Sequence, residues 1–354
     1  MARRTPREYV DDAKQQILDL LEIEKAVTAR ELEARISEPT DIPTFGVATN
    51  QIDPHHVTTA RRELLAAEQI ETSTGRTRGR SREITVFHLP IVRGNRTAIG
   101  AAAGRKRLLT ARHESLSRTT QRHPKGLVGS AGEIVVARAL DDINGYVPYQ
   151  SGAGETTELL GVNLTKHGGP IDNAASLVDY ASELPKTYTV GIEVKNRREW
   201  FGPANERLHH FLYKMAMVQQ THPDQLLVPI FICRRREHRT FAMAKQLGFY
   251  VIQYRAQFVR PVSDVNKVHF EEIRQELGYT DLVLDEAPNN ALLRALENLP
   301  QYAENLASLW QSTGSMLDHH YGQMRKPNPT SPRQDLLTEM KDDLRAKGTK
   351  IAGW

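Results

Sequence analysis

Between residues 226 and 254 the chain alternates in a way that few folds accommodate. LLVPIFIC (226–233) is an unbroken apolar run, TFAMAKQLG (240–248) has helical spacing and closes on a glycine, and FYVIQY (249–254) is strand-like again. A strand that is apolar at every residue, rather than at alternate ones, is a strand covered on both faces. Strand, helix and strand in that order form a parallel βαβ unit, because parallel neighbours need a crossover and the helix supplies it. This part of the chain is expected to be layered α/β structure.

Upstream of that unit lies TVGIEVKN (189–196), where Thr, Val, Ile and Val are strand formers but the strand is expected to end in Glu193 and Lys195. Residues two apart on a strand share a face, so the carboxylate and the ammonium project side by side. Both groups are costly to desolvate. Two explanations stay open: a solvated ion pair where the strand breaks surface, or a metal ligand beside a positioned cation. A second β-prone run, about 171–178, follows Gly168-Gly169-Pro170 and is expected to pair with the first as a hairpin, bringing Asp172 alongside Glu193. Two hard carboxylates with room for water and a phosphate suit Mg2+, with Mn2+ as a substitute. Such an ion polarises a phosphate and acidifies a bound water, while Lys195 orients that water or offsets charge. Glu133, on the helical stretch GEIVVARAL (132–140), can supply a third carboxylate.

An acid on a first helix, then Asp, then Glu-x-Lys on the next strand, followed by a βαβ unit, resembles the PD-(D/E)xK nuclease superfamily. The likeness covers roughly residues 126–260. It implies a restriction-endonuclease-like fold, an α/β core with a mixed sheet flanked by helices, and Mg2+-dependent cleavage of phosphodiesters. Carried over by motif, Asp172, Glu193 and Glu133 would be metal ligands and Lys195 the catalytic lysine. The first element reads Pro170-Ile171-Asp172 rather than a contiguous Pro-Asp pair. Asp179 is therefore the competing aspartate, placed by its position at the hairpin turn, away from Glu193.

At 354 residues the chain is long enough for two domains and appendages. The first ninety residues read as three short helices and a hairpin. Val10, Ile17, Leu20 and Leu21 lie near one face of the first, and Thr28 with Glu31 has capping-box spacing for the second. The third carries Val57, Ala60, Leu64 and Leu65, and residues 74–82 form a Gly- and Arg-rich hairpin tip. This order resembles a winged helix. The resemblance implies that the third helix enters the major groove, with Thr58, Thr59, Arg61 and Arg62 near base edges and Arg76, Arg78 and Arg80 on phosphates. The net charge is only +4. From residue 76 to 125, however, basic residues, mostly arginines, face only Glu83 and Glu114, as phosphate neutralisation requires. A solvated basic surface is the bland alternative.

The expected layout is a winged-helix DNA-binding domain at 1–92, a basic helical connector at 93–125, the nuclease domain at 126–262, a helical extension at 263–324 and a loose polar tail at 325–354. Several further features stay open between function and plain solvation. Asn196, Arg197 and Arg198, and Arg234, Arg235, Arg236 and Arg239, are either phosphate contacts or basic loops. Lys214 either reaches the site or only lays its stem along the core. Adjacent pairs His209-His210 and His319-His320 do not share a helix face, so structural zinc is not expected. No apolar run is long enough to cross a bilayer. The N-terminus lacks a secretory pattern, and the single Cys233 excludes an intramolecular disulfide, so the expected setting is the cytoplasm. The functional expectation is a DNA endonuclease acting on double-stranded DNA, by analogy in restriction or defence, as a homodimer and with defence-system partner proteins. The alternative is a catalytically inactive winged-helix DNA-binding regulator.

Overall fold

The computed structural model describes residues 4–38, 52–77, 82–150, 152, 154–180, 184–263, 265–329, 331–351 and 353–354. The chain is a mixed α/β protein that divides into two compact units, Met1–Gly126 with Pro261–Leu282, and Leu127–Arg260 with Val283–Trp354. Among the described residues no helix is long and apolar enough to cross a membrane.

In the first unit, α1 (Pro6–Glu24) starts at Thr5, whose hydroxyl and the carboxylate of Glu8 form a reciprocal capping box. Val10, Ala13, Ile17 and Leu21 recur at helical spacing and make its buried stripe. Strand β1 (Val27–Thr28) leads into α2 (Ala29–Ser37), capped by Thr28 and Glu31 as their spacing requires. In α3 (Pro54–Ala66) the inward residues are Val57, Ala60 and Leu64. Strands β2 (Glu71–Gly75) and β3 (Ile84–His88) pair antiparallel, with β1 on the other edge of β3.

The stretch read as a connector contains a long helix, α4 (Arg96–Leu116), that packs into this unit together with α8 (Lys267–Glu276). The expected extension 263–324 is correspondingly split between the units at Leu282. A buried charge cluster joins these helices. Lys106 donates to Glu24 (2.8 Å), Glu31 (2.5 Å) and the Glu276 carbonyl (2.6 Å), and Arg35 donates to Glu31 (3.1 Å) and the same carbonyl (2.9 Å). Burial raises the Glu31 carboxyl pKa, and Lys106 and Arg35 offset only part of that.

The second unit opens with α5 (Gly126–Asp142) and carries β4 (Tyr146–Pro148), a small hairpin of β5 (Glu158–Leu159) and β6 (Val162–Asn163), then β7 (Asn173–Asp179), β8 (Lys186–Phe201), β9 (Leu227–Arg236) and β10 (Tyr250–Gln253). Five of these strands form one sheet in the order β10-β9-β8-β7-β4. Pairings β4–β7 and β7–β8 are antiparallel, while β8–β9 and β9–β10 are parallel, so the sheet is mixed. Helix α7 (His238–Leu247), ending at Gly248, is the crossover of the βαβ unit expected from the apolar runs. One face packs on α6 (Glu206–Thr221), α7, α11 (Asp318–Met324) and α12 (Arg333–Ala346). The other packs on α5, α9 (Asn290–Asn298) and α10 (Pro300–Ser312).

Two expectations need correction. The tail 325–354 is not loose: α12 buries Leu336, Leu337, Met340 and Leu344, and Trp354 is buried too. Four apolar positions spaced for one helix face hold it down, although the segment as a whole is polar. Strand β8 does not end at Lys195 but continues to Phe201. The β8–β9 register shifts between Lys195 and Trp200, so β8 carries extra residues opposite Arg234.

Candidate active site

The β7–β8 hairpin sets Asn173 opposite Ile192, and the Asp172 amide donates to the Ile192 carbonyl at 3.1 Å. That register carries Asp172 to the level of Glu193. Directly opposed residues of an antiparallel pair share a face. At the other end Asp179 faces Lys186, so the competing aspartate lies away from Glu193. The chain enters β7 through Gly168 and Gly169, with φ of 116° and 111°, backbone that L side chains avoid. A Cβ on Gly168 would also collide with the His210 ring and the Arg325 guanidinium.

Three predicted residues meet here. Asp172 Oδ2 accepts from the Val194 amide at 2.7 Å and from Lys195 Nζ at 3.4 Å, and Lys195 Nζ donates to Glu193 Oε1 at 2.6 Å. The Val194 carbonyl accepts from the same ammonium at 3.2 Å. Glu193 Oε2 accepts from Lys214 Nζ at 3.1 Å, and Lys214 also donates to the Pro170 carbonyl at 2.7 Å. Helix α6 comes this near to β8 because Gly191 has no side chain; a Cβ there would run into Met215, the neighbour of Lys214.

The side chains are largely buried, at 14% exposure for Asp172, 10% for Glu193, 18% for Lys195 and 2% for Lys214. Burial by itself pushes the Glu193 carboxyl up, but the ammoniums of Lys195 and Lys214 outweigh it and hold the group below its usual value. Burial likewise pulls Lys195 down, and Glu193 with Asp172 overrides it, holding the amine well above its usual value. At neutral pH Lys195 is a charged donor, not a proton acceptor. It can stabilise developing negative charge.

The donor set suits a hard divalent cation in kind. Asp172 Oδ2, Glu193 Oε1 and the Val194 carbonyl are all oxygen, the atom Mg2+ and Mn2+ take, and they already surround one cation, the Lys195 ammonium. Glu133 lies half-buried on α5, and among the described residues no group of three or more His, Cys, Asp or Glu is arranged to hold a metal.

The predicted DNA contacts fare unevenly. Thr59 and Arg62 are exposed on α3 and Thr58 is half-buried; the Thr59 hydroxyl donates to the His55 carbonyl at 2.9 Å. Arg61 is half-buried with its guanidinium 5.0 Å from the centre of the Phe87 ring. Arg76 is exposed and ion-paired with Glu83 at 3.1 Å, and Arg78 and Arg80 lie outside the described residues.

Much of the basic stretch is committed inside the first unit. Arg105 bonds Glu276 (2.9 Å), Arg112 bonds Glu272 (2.6 Å), Arg82 pairs with Glu114 (3.2 Å) and Arg107 donates to the Ser73 carbonyl (2.8 Å).

The basic loops expected after the motif strands are also corrected. Asn196 is buried and clamps the Val128 and Phe258 carbonyls at 2.7 Å each, and Arg198 is buried against Gln257 at 3.2 Å. Arg234 and Arg235 are buried within β9, and Arg236 stacks 4.3 Å from the Phe241 ring centre. The site includes two residues that the motif did not reveal. His210 bonds the Gly168 carbonyl at 2.8 Å, and Arg325 bonds the His167 carbonyl at 2.8 Å. No local pattern marks Arg325, which approaches from the C-cap of α11.

His209, its neighbour, points into the core, and its Nε2 bonds the Pro203 carbonyl at 2.7 Å. Burial pushes its ring from the ordinary 6.5 down to about 4. The unfolded chain then binds a proton that the folded chain refuses. The resulting stability is complete above pH 6.5 and is lost as pH falls toward 4, about 3 kcal/mol in all. Urea titrations across this range are expected to show that loss, and His209→Gln is expected to flatten it. An unchanged pH slope in the variant would contradict the assignment.

Compared with family models, curated proteins and solved structures, the chain matches none.

Proposed function

We propose that the chain is a metal-dependent DNA endonuclease, with a restriction-endonuclease-like core in its second unit and a winged helix in its first. The observation that carries the reading is the meeting of Asp172, just ahead of β7, with Glu193 and Lys195 of β8 about one ammonium, within hydrogen-bond reach. A Mg2+ or Mn2+ ion held by Asp172 and Glu193 would polarise the scissile phosphate and acidify a bound water. The protein's own part is electrostatic. Asp172 is fixed by the Val194 amide, Glu193 by Lys214, and the Lys195 ammonium stands ready to offset charge on a phosphate oxygen.

On this reading α3, through Thr58, Thr59 and Arg62, approaches base edges of double-stranded DNA while Arg76 with Arg78 and Arg80 follows the backbone. A homodimer would give each strand one site, and restriction or defence alongside partner proteins is the setting by analogy.

A second reading has an observation in its favour. With two ammoniums on its carboxylates, and no group of three or more His, Cys, Asp or Glu arranged for a metal among the described residues, the site would also suit a DNA-binding regulator that no longer cleaves.

Incubating the full chain with supercoiled plasmid separates the two. Cleavage is expected with Mg2+, none with EDTA, and none above background for Lys195→Ala. Plasmid that stays supercoiled with both Mg2+ and Mn2+, while DNA binding persists, would leave only the regulator.

A further inference from the structure

Lys214 is not explained by stem packing. A lysine that merely lays its methylenes on a core keeps its ammonium in water, whereas this side chain is 2% exposed and its head lies against a carboxylate. Its two acceptors belong to one strand and to the loop that leads into its neighbour. Glu193 Oε2 is on β8, and the Pro170 carbonyl is two residues ahead of Asp172 on the way into β7. The same loop is held at two further carbonyls, His167 by Arg325 and Gly168 by His210, and the Arg325 guanidinium lies 3.9 Å from the ring centre of Tyr213, next to Lys214. Of these three anchors, Lys214 alone is bonded to an acid of the Asp172, Glu193 and Lys195 cluster.

Resting on the nuclease reading above, we infer that Lys214 is a positioning residue with two opposed effects: it ties Glu193 to the loop that places Asp172, and its charge weakens the hold of the two carboxylates on a divalent cation. Removing it should therefore move metal affinity and cleavage in opposite directions. A residue needed only for folding would lower both.

The test uses the full-length protein with Mn2+ as the probe, its binding read by electron paramagnetic resonance, alongside plasmid cleavage. Lys214→Met keeps the length and buries without charge. It is expected to bind Mn2+ about 10-fold more tightly, since a unit positive charge beside the site is gone. Cleavage is expected to slow by about 100-fold, since Asp172 loses its spacing. Lys214→Gln keeps a donor for the Pro170 carbonyl, so it should show the same tighter binding with a smaller loss of cleavage. It also carries the test if the methionine variant does not fold.

Wild-type protein that binds Mn2+ and cleaves, with variants that bind Mn2+ no more tightly, would overturn the role of Lys214 and leave the nuclease reading intact. Wild-type protein that neither binds Mn2+ nor cleaves would overturn both.

Discussion

Glu193→Gln is expected to reduce Mg2+-dependent plasmid cleavage by on the order of 1,000-fold, the scale of losing a main electrostatic stabiliser. Glutamine keeps the volume and the backbone of β8, so the fold should survive. What disappears is the charge that both Lys195 and Lys214 are drawn to, at 2.6 and 3.1 Å, and with it a hard anionic ligand. DNA affinity, measured at fixed salt because phosphate contacts make it salt-dependent, should stay near that of the wild type. The result that counts against the assignment is a glutamine variant that cleaves within a few-fold of wild type. A variant that loses DNA binding as well would mean that Glu193 supports structure instead of chemistry.

The second large effect is expected in the first unit. Lys106→Met should lower stability by about 3 kcal/mol or more, the cost of breaking a buried ion pair and stranding one partner. The stranded partner is Glu31, fully buried, with Arg35 as its remaining cation. Because burial already raises the Glu31 pKa, the carboxyl can escape its penalty by taking a proton. A group whose folded pKa is raised favours the folded state at low pH and loses that contribution as pH rises. The deficit of Lys106→Met relative to wild type should therefore be largest near pH 7 and shrink toward pH 5. Hydrogen exchange of α1, α2 and α4 amides reports on this unit directly. Equal protection of those amides in variant and wild type at pH 7 would remove the argument.

What could be read from the chain, and what could not, follows the range of the forces involved. The βαβ unit around α7 was legible because apolar periodicity and a C-terminal glycine are local signals. The placing of Asp172 beside Glu193, with Asp179 at the far end opposite Lys186, was legible because apolar pattern and turn set the register of a hairpin. The polar residues Asn196, Arg197 and Arg198 predict a strand end at Lys195. Asn196 and Arg198 are instead buried with partners at Val128, Phe258 and Gln257, which no local pattern announces. The basic stretch misled for the same reason. Counted along the chain its arginines face two acids, but Glu272 and Glu276 arrive from α8, 160 and 171 residues later, and neutralise Arg112 and Arg105. Charge listed in sequence order is not charge left at the surface.

The return of α8 to the first unit has a practical consequence for anyone dissecting the molecule. The backbone passes between units at Gly126, at Arg260 and at Leu282, so a cut after residue 126 does not release a self-sufficient fragment. Such a fragment would carry Arg105, Arg112 and Lys106 without the helix whose carboxylates and terminal carbonyl receive them. An autonomous version of the amino-terminal half would have to be a chimaera, with residues 261–282 grafted on through a designed linker.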